Sequence, residues 1–371
     1  MPNSALALQK LARAPEMTCI EPHLQRRAEM VPECQIFNIS GPTYLKSVDW
    51  NNANHRRCVL ASLVQGVYVY EHDRRMKRFG PKSLALPWWR FFHFHLIDTL
   101  HDSSDHSVVG AVLQLHSKSG NIVGNSPKYV IAFRGIITTA PAPPLYNDFL
   151  LCIRSFFGTL HNSTRFHHAI SRVQHWVTMA GGAPNIWLTG HSLGSAVALL
   201  AAKNMAMSGF RLPTYLFNPP FPSATLERTE NPKLRQGIHI ASSVVKAGVS
   251  IYLRSQHQKK EDQFSALSDW VPCLFLNPGD PICSGYIEYF EQRKKMKELG
   301  AADLEDMATK HTLKSLIVSN VFDINSEPRH LLPSAELIIN RAQSPCFKAA
   351  HGITQWWDPS LRSHPVVYRY K

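Results

Sequence analysis

An α/β architecture, a mostly parallel sheet with helices on both faces, is what this sequence predicts, and three observations predict it. Short apolar runs alternate with segments of helical period from residue 108 onward. Mid-chain, Asn185-Ile186-Trp187-Leu188 reads as a short buried strand, and the Ala-rich run Ala196–Ala202 as a helix buried on most sides. Between them, Gly190-His191-Ser192-Leu193-Gly194 turns strand into helix where glycine lets backbones pass closely. Strands alternating with helices favour parallel pairing, with the helices covering the sheet.

In chain order, residues 1–40 are punctuated by proline and weakly patterned, and are expected to form a loosely held N-terminal arm. Residues 41–371 are expected to form a single domain. Val59, Leu60, Leu63, Val67 and Tyr70 recur at helical spacing, so His55 to Glu71 is an amphipathic helix. The aromatic stretch Trp88 to Leu96 suits core packing, or a hydrophobic wall for a substrate. Val108 to Leu115 and Tyr129 to Phe133 read as strands. The second runs into Arg134-Gly135-Ile136 and an apolar loop, Ile137 to Pro144. Helical patterns follow at Asp148 to Leu160 and again where Phe166, Ile170, Val173 and Val177 mark one face, which Gly181-Gly182 ends. Thr214 to Phe217 is a strand closed by Asn218-Pro219-Pro220. An insertion is expected near 228–268, with a helix at Ser242 to Leu253; the strand Val271 to Asn277 then leads to Pro278-Gly279-Asp280-Pro281. Helices are expected at Tyr286 to Leu299 and Leu304 to Ser319, and the tail from Ser334 holds a helix-like segment with Trp356-Trp357.

Composition narrows the function classes. A chain of 371 residues with 44% hydrophobic and 18% charged residues has ample material for a large core. No apolar run reaches the roughly 18–20 residues that a membrane span needs. The first thirty residues mix Lys10, Arg13, Glu16, Glu21, Arg26 and Glu29 without an apolar stretch, so no secretory signal is expected. Seven scattered cysteines read as reduced thiols in an intracellular, cytoplasmic protein. Without C-x-x-C, H-E-x-x-H or a P-loop, neither metal nor cofactor is expected. The net charge of +13 concentrates partly in Arg74-Arg75-Met76-Lys77-Arg78, where peripheral contact with an anionic lipid surface is expected. The other cluster, Arg293 to Lys297, alternates with glutamates as a solvated helix face would. Nucleic-acid binding has no motif behind it.

The chemistry centres on Ser192. A serine on a strand-to-helix turn projects its hydroxyl above the sheet, and the following helix aims its first amides at the same point. Such a nucleophile needs a base and an orienting acid, which α/β-hydrolases supply in the order Ser, acid, His from loops at the carboxyl ends of strands. Asp280 lies just after a strand; Asp269 precedes that strand and falls at the wrong edge of the sheet. Four histidines follow Asp280. His311 lies in a helical pattern, His330 in a free loop, and His364 near the end of the sequence. His351 sits between small residues and the Trp356-Trp357 pair, which leaves His351 first and His330 next as the base.

Val130-Ile131-Ala132-Phe133-Arg134-Gly135, the Gly190–Gly194 turn and Asn277-Pro278-Gly279-Asp280-Pro281 together resemble the class 3 (fungal-type) lipase family, its plant lipase-like members most of all. The likeness covers about 129–290. It implies an α/β-hydrolase fold and a serine hydrolase cleaving carboxylic esters, acyl lipids in particular, through Ser192, His351 and Asp280. It also implies an oxyanion hole from the backbone amides of Ile136 and Leu193. Plant relatives carry a similar Ala-His-Gly stretch around their histidine. Ile136 stands where the family has Thr or Ser, so only its backbone can donate, and Asn218-Pro219-Pro220 replaces the Gly-x-Pro turn of secreted fungal members. Plant defence-signalling lipase-like proteins add the alternative of a catalytically weak or inactive scaffold.

Overall fold

The computed structural model describes residues 31–103, 105–116, 125–137, 164–221, 267–298, 332–361 and 364–370. Helix α1 (Ala53–Arg75) precedes an eight-stranded sheet whose spatial order is its sequence order, β1 to β8. Strands β1 (Phe94–His101), β2 (Val108–Leu115) and β3 (Tyr129–Phe133) pair antiparallel. From β3 the sheet is parallel through β4 (Ile186–His191), β5 (Thr214–Phe217), β6 (Cys273–Leu276) and β7 (Ala335–Ile339), and β8 (Val366–Tyr368) closes it antiparallel.

Strands that add in one direction only have a consequence for the layers. Crossovers between parallel neighbours are right-handed, so each helix between them falls on the same face. The two cores show it. Ile131, Phe133, Ile186, Leu188, Leu216 and Leu274 pack with α2 (Thr164–Met179), α3 (Leu193–Met207) and α4 (Gly285–Glu298). Their strand neighbours Val130, Ala132, Trp187, Phe217, Cys273 and Phe275 point the other way, as a period of two requires. That second face is covered by α1, by Trp88 and Trp89, and by Trp356 and Trp357. The aromatic stretch Trp88 to Leu96 is therefore mainly core and not a substrate wall: Trp88, Trp89, Phe92 and Phe94 are all buried. Gly66 in α1 allows this approach, since a Cβ there would stand 2.9 Å from the Trp89 ring.

Helix α1 is longer at both ends than its apolar pattern predicts. The Asn52 side chain accepts the amides of Asn54 and His55 and starts the helix two residues earlier. Three strands escape the sequence reading. β1 hides in polar, histidine-rich sequence because half of it faces outward, while β7 and β8 are too short for a period to show. Of the expected arm, residues 1–30 lie outside the described residues, and Phe37 from its last part is buried in the second core. The helices expected at 148–160, 242–253 and 304–319, and most of the insertion at 228–268, also lie outside the described residues. Five cysteines, Cys34, Cys58, Cys273, Cys283 and Cys346, are free. Among the described residues no helix is long and apolar enough to cross a membrane.

Arginines of both basic clusters have internal partners. Arg293 is buried, and its guanidinium donates to the carbonyls of Leu332 and Pro333, so it anchors the entry to β7 and does not belong to a solvated face. Arg74 and Arg75 both pair with the buried Glu71, whose carboxylate also accepts the Val108 amide of β2 at 2.9 Å. Burial pushes the Glu71 carboxyl up, but the two guanidinium bonds and the Val108 amide outweigh it and hold the group at about 2, below an ordinary value of 4.5. A carboxyl depressed on folding contributes stability that is present above pH 4.5 and is lost as pH falls towards 2. Glu71→Gln is therefore expected to lower Tm at neutral pH, with the gap to wild type closing as pH approaches 2. Thermal unfolding at stepped pH measures it; a gap that stays constant with pH would show that the charge contributes nothing.

Candidate active site

The carboxyl ends of the parallel strands lie in one row: Phe133 is level with Gly190, His191 with Phe217, and Phe217 with Phe275. Chain leaving that edge builds the site. Ser192 joins β4 to α3 with φ 53° and ψ −126°, a conformation that non-glycine residues occupy at a cost of about 1–3 kcal/mol. Its amide donates to the Phe217 carbonyl at 2.9 Å, and Ser195 Oγ donates to the carbonyls of Gly190 and Phe217, both at 2.8 Å. Glycine is required on either side. A Cβ at Gly190 would lie 2.5 Å from the Gly194 carbonyl oxygen, and one at Gly194 would lie 2.5 Å from that of Phe133. The Ser192 hydroxyl is buried and has no hydrogen-bond partner among the described residues. An unmade bond of this kind costs about 1–3 kcal/mol. Strain and an unpartnered hydroxyl thus fall on the same residue.

Asp280 follows β6 in a turn closed by its own amide on the Asn277 carbonyl and by the Gly279 amide on Asn277 Oδ1. It is fully buried. Asn218 Nδ2 donates to its Oδ2 at 2.7 Å, and the Ile282 amide to its Oδ1 at 3.0 Å. Burial pushes the Asp280 carboxyl up, yet the field and hydrogen bond of His351, followed by Asn218 and Ile282, prevail and keep it below the ordinary aspartate value. His351 ends the short helix α5 (Phe347–His351), and its Nδ1 stands 2.8 Å from Asp280 Oδ2. Phe347 stacks on its ring at 5.3 Å. Of the alternatives, Asp269 is exposed and paired with Arg211, and His364 is exposed; His311 and His330 lie outside the described residues.

Three residues at the site carry no sequence signal of their own role. Asn218, which reads only as part of an unusual turn, donates through the same amide nitrogen to Asp280 and to the Ala350 carbonyl, and its oxygen accepts Trp356 Nε1 at 2.7 Å. The tryptophan thereby fixes the segment that bears His351. His191 is buried; its Nε2 lies 2.7 Å from the His351 carbonyl oxygen and its Nδ1 lies 2.9 Å from the Tyr68 hydroxyl. Burial, then the nearby His351, push His191 down to about 3, so it is neutral across the physiological range. Tyr68, on α1, accepts the Gly135 amide at 2.7 Å. A Cβ at Gly135 would meet Tyr68 Oη at 2.6 Å and Ser192 Cβ at 2.9 Å, so the Arg134-Gly135-Ile136 turn lies directly against the serine. Leu193, first residue of α3, is buried beside it, and Ile136 is half-buried. The Arg134 guanidinium holds the turn by donating to the carbonyls of Val108 and Gly135. The loop Ile137 to Pro144 lies outside the described residues beyond 137. Among the described residues no group of His, Cys, Asp or Glu could hold a metal ion.

Comparison with known proteins finds esterases and lipases. The class 3 lipase family model matches residues 145–223, a span that contains Ser192 and ends before Asp280. A GDSL esterase/lipase of Arabidopsis thaliana is 41% identical over 357 residues, covering 92% of this chain and 100% of its own length. This chain has no Gly-Asp-Ser-Leu; Ser192 stands in Gly190-His191-Ser192-Leu193-Gly194, inside the span that the family model matches. The crystal structure of an extracellular lipase, LipA, from Serratia marcescens overlaps 49% of this chain and 40% of that one, at 15% identity and a TM-score of 0.26. A plant relative this similar over nearly the whole chain, with the family match falling on the serine turn, makes the protein a member of the class 3 lipase family of carboxylic ester hydrolases.

Proposed function

We propose that the protein hydrolyses acyl lipid esters through Ser192, His351 and Asp280. The observation that carries this reading is the Ser192 hydroxyl, strained, buried and unpartnered at the edge where Asp280 already holds the His351 imidazole. Asp280 accepts Nδ1–H and so leaves Nε2 with the lone pair a general base needs. As Ser192 Oγ attacks the ester carbonyl, its proton passes to His351 Nε2. The amides of Leu193 and Ile136 receive the oxyanion, and the α3 N-terminus adds its dipole. The alcohol leaves with the proton from His351; water, deprotonated by the same ring, then releases the fatty acid and restores the serine. A serine–histidine bond that forms only with substrate in place is usual in sites without ligand.

A fluorophosphonate probe tests the serine whatever ester the protein cleaves. Wild type is expected to label, and Ser192→Ala to lose labelling and about four to six orders of magnitude of esterase rate while staying folded. His351→Ala should be nearly as inert and His330→Ala should keep its activity. Loss of turnover in His330→Ala alone would transfer the base to His330, and a folded wild type that never labels would favour a scaffold.

Lipid chains as the acyl group predict a length dependence. Each buried methylene is worth about 0.8 kcal/mol, so kcat/KM should climb from acetyl to octanoyl esters of one alcohol. A flat series would exclude an acyl-binding groove.

Peripheral contact with an anionic lipid surface rests on residues 76–82. Val108, bonded to Glu71, neighbours Arg134 at the carboxyl end of β3, so α1 ends at the same edge of the sheet as Ser192. Just beyond it Met76 is 58% and Phe79 67% exposed, with Lys77 and Lys82 exposed alongside. The buried Asp73 holds this loop by accepting from Arg78, Ser83 Oγ and the amides of Leu84 and Ala85. Co-sedimentation with phosphatidylglycerol-containing vesicles is expected for wild type and lost in the Met76→Glu, Phe79→Glu double variant. Hydrolysis of soluble p-nitrophenyl butyrate should be the same in both. Sedimentation unaffected by the two changes would place the contact elsewhere.

A further inference from the structure

Tyr68 and His191 form a chain of hydrogen bonds whose direction can be assigned completely. The His351 backbone oxygen can only accept, so the hydrogen of His191 sits on Nε2 and points at it across 2.7 Å. His191 Nδ1 then carries a lone pair, and the Tyr68 hydroxyl donates to it at 2.9 Å. With its proton committed, the same hydroxyl accepts the Gly135 amide at 2.7 Å. Gly135 N–H, Tyr68 O–H, His191 and the His351 carbonyl thus form one unbroken run through four elements: the turn after β3, helix α1, strand β4 and helix α5. Each ring nitrogen of His191 and both roles of the Tyr68 hydroxyl are used, and the two side chains meet edge to face at 5.8 Å.

The two ends of this run are the two parts of the site that Ser192 itself does not hold. One end is Gly135, whose next residue, Ile136, presents an amide to the forming oxyanion on the reading above. The other is His351, whose ring must reach Ser192. We propose that Tyr68 and His191 are positioning residues, which fix the Ile136 amide and the His351 ring at one spacing about Ser192. This rests on the serine-hydrolase reading. Ile136 has no side-chain hydroxyl to steady the forming charge, so the placement of its amide carries the whole contribution from that side. A displacement of about 1 Å at such a group can cost on the order of a hundredfold in rate.

Tyr68→Phe removes the hydroxyl and keeps the ring, and His191→Leu breaks both bonds of the histidine. With p-nitrophenyl butyrate, each is expected to lower kcat by about 10–100-fold while KM stays within about twofold, because no substrate contact is lost. Fluorophosphonate labelling should slow in the same proportion. The double variant should be no slower than His191→Leu alone, as two cuts in one chain should be. If His191→Leu fails to fold, Tyr68→Phe carries the test. A Tyr68→Phe enzyme with wild-type kcat, or one whose defect lies in KM, overturns the positioning role while the triad stands. A folded wild type that neither turns over nor labels at Ser192 overturns the triad and this role together.

Discussion

At Gly194 the first turn of α3 passes so close to the carbonyls of Phe133 and Arg134 that even a methyl group would sit 2.5 Å from one of them. That approach packs helix against strand tightly enough to force the sharp turn at Ser192, which any looser packing would relax. The same closeness brings the Arg134-Gly135-Ile136 turn against the serine, so one packing constraint sets the geometry of Ser192 and of the neighbouring turn. The strain at Ser192 persists because its amide, its carbonyl and Ser195 Oγ are all bonded to the surrounding strands and helix. Position here follows from packing and not from the serine's own preference.

The layering explains why residues remote in sequence serve one site. A sheet that grows in one direction places its crossover helices on one face, and the other face needs cover from outside the parallel run. Helix α1 and the segment around Trp356 provide it, so both reach the carboxyl edge from the same side. Tyr68 and His351 come from these two covering pieces, whereas Ser192 and Asp280 come from the sheet itself. A flaw in how the cover seats would thus act on His351 and on the turn at Gly135 before it disturbs the serine.

What the sequence makes legible is what backbone geometry writes into residue identity. The strand, the Gly190–Gly194 turn and the buried helix can be read because close backbone approach excludes every residue but glycine. Asp280 can be read because its turn needs Asn-Pro-Gly spacing after a strand. Asn218 looks like a departure from a family pattern, and only the structure shows it bonded to Asp280, Ala350 and Trp356. Tyr68 sits in an apolar helical stripe and His191 occupies the free position of G-x-S-x-G, so nothing local distinguishes them. The single available clue is general: a tyrosine on a buried face needs a partner for its hydroxyl. Strands β1, β7 and β8 escape because an edge strand or a three-to-five-residue run shows no usable period.

The tryptophan segment that covers the second face is bonded to parts of the chain made long before it. Arg57 donates to the Trp356 carbonyl, Tyr44 to that of Trp357, and Trp357 Nε1 to Ser40, with partners 299, 313 and 317 residues apart in sequence. Contacts of such separation close late in folding, since the loop entropy must be met before they form. On the ribosome, the serine turn and its aspartate emerge first and can find their sheet partners while the imidazole is still to be made. The nascent chain therefore carries Ser192 and Asp280 without the His351 ring until the tryptophan segment docks, so the three groups meet only in the finished fold.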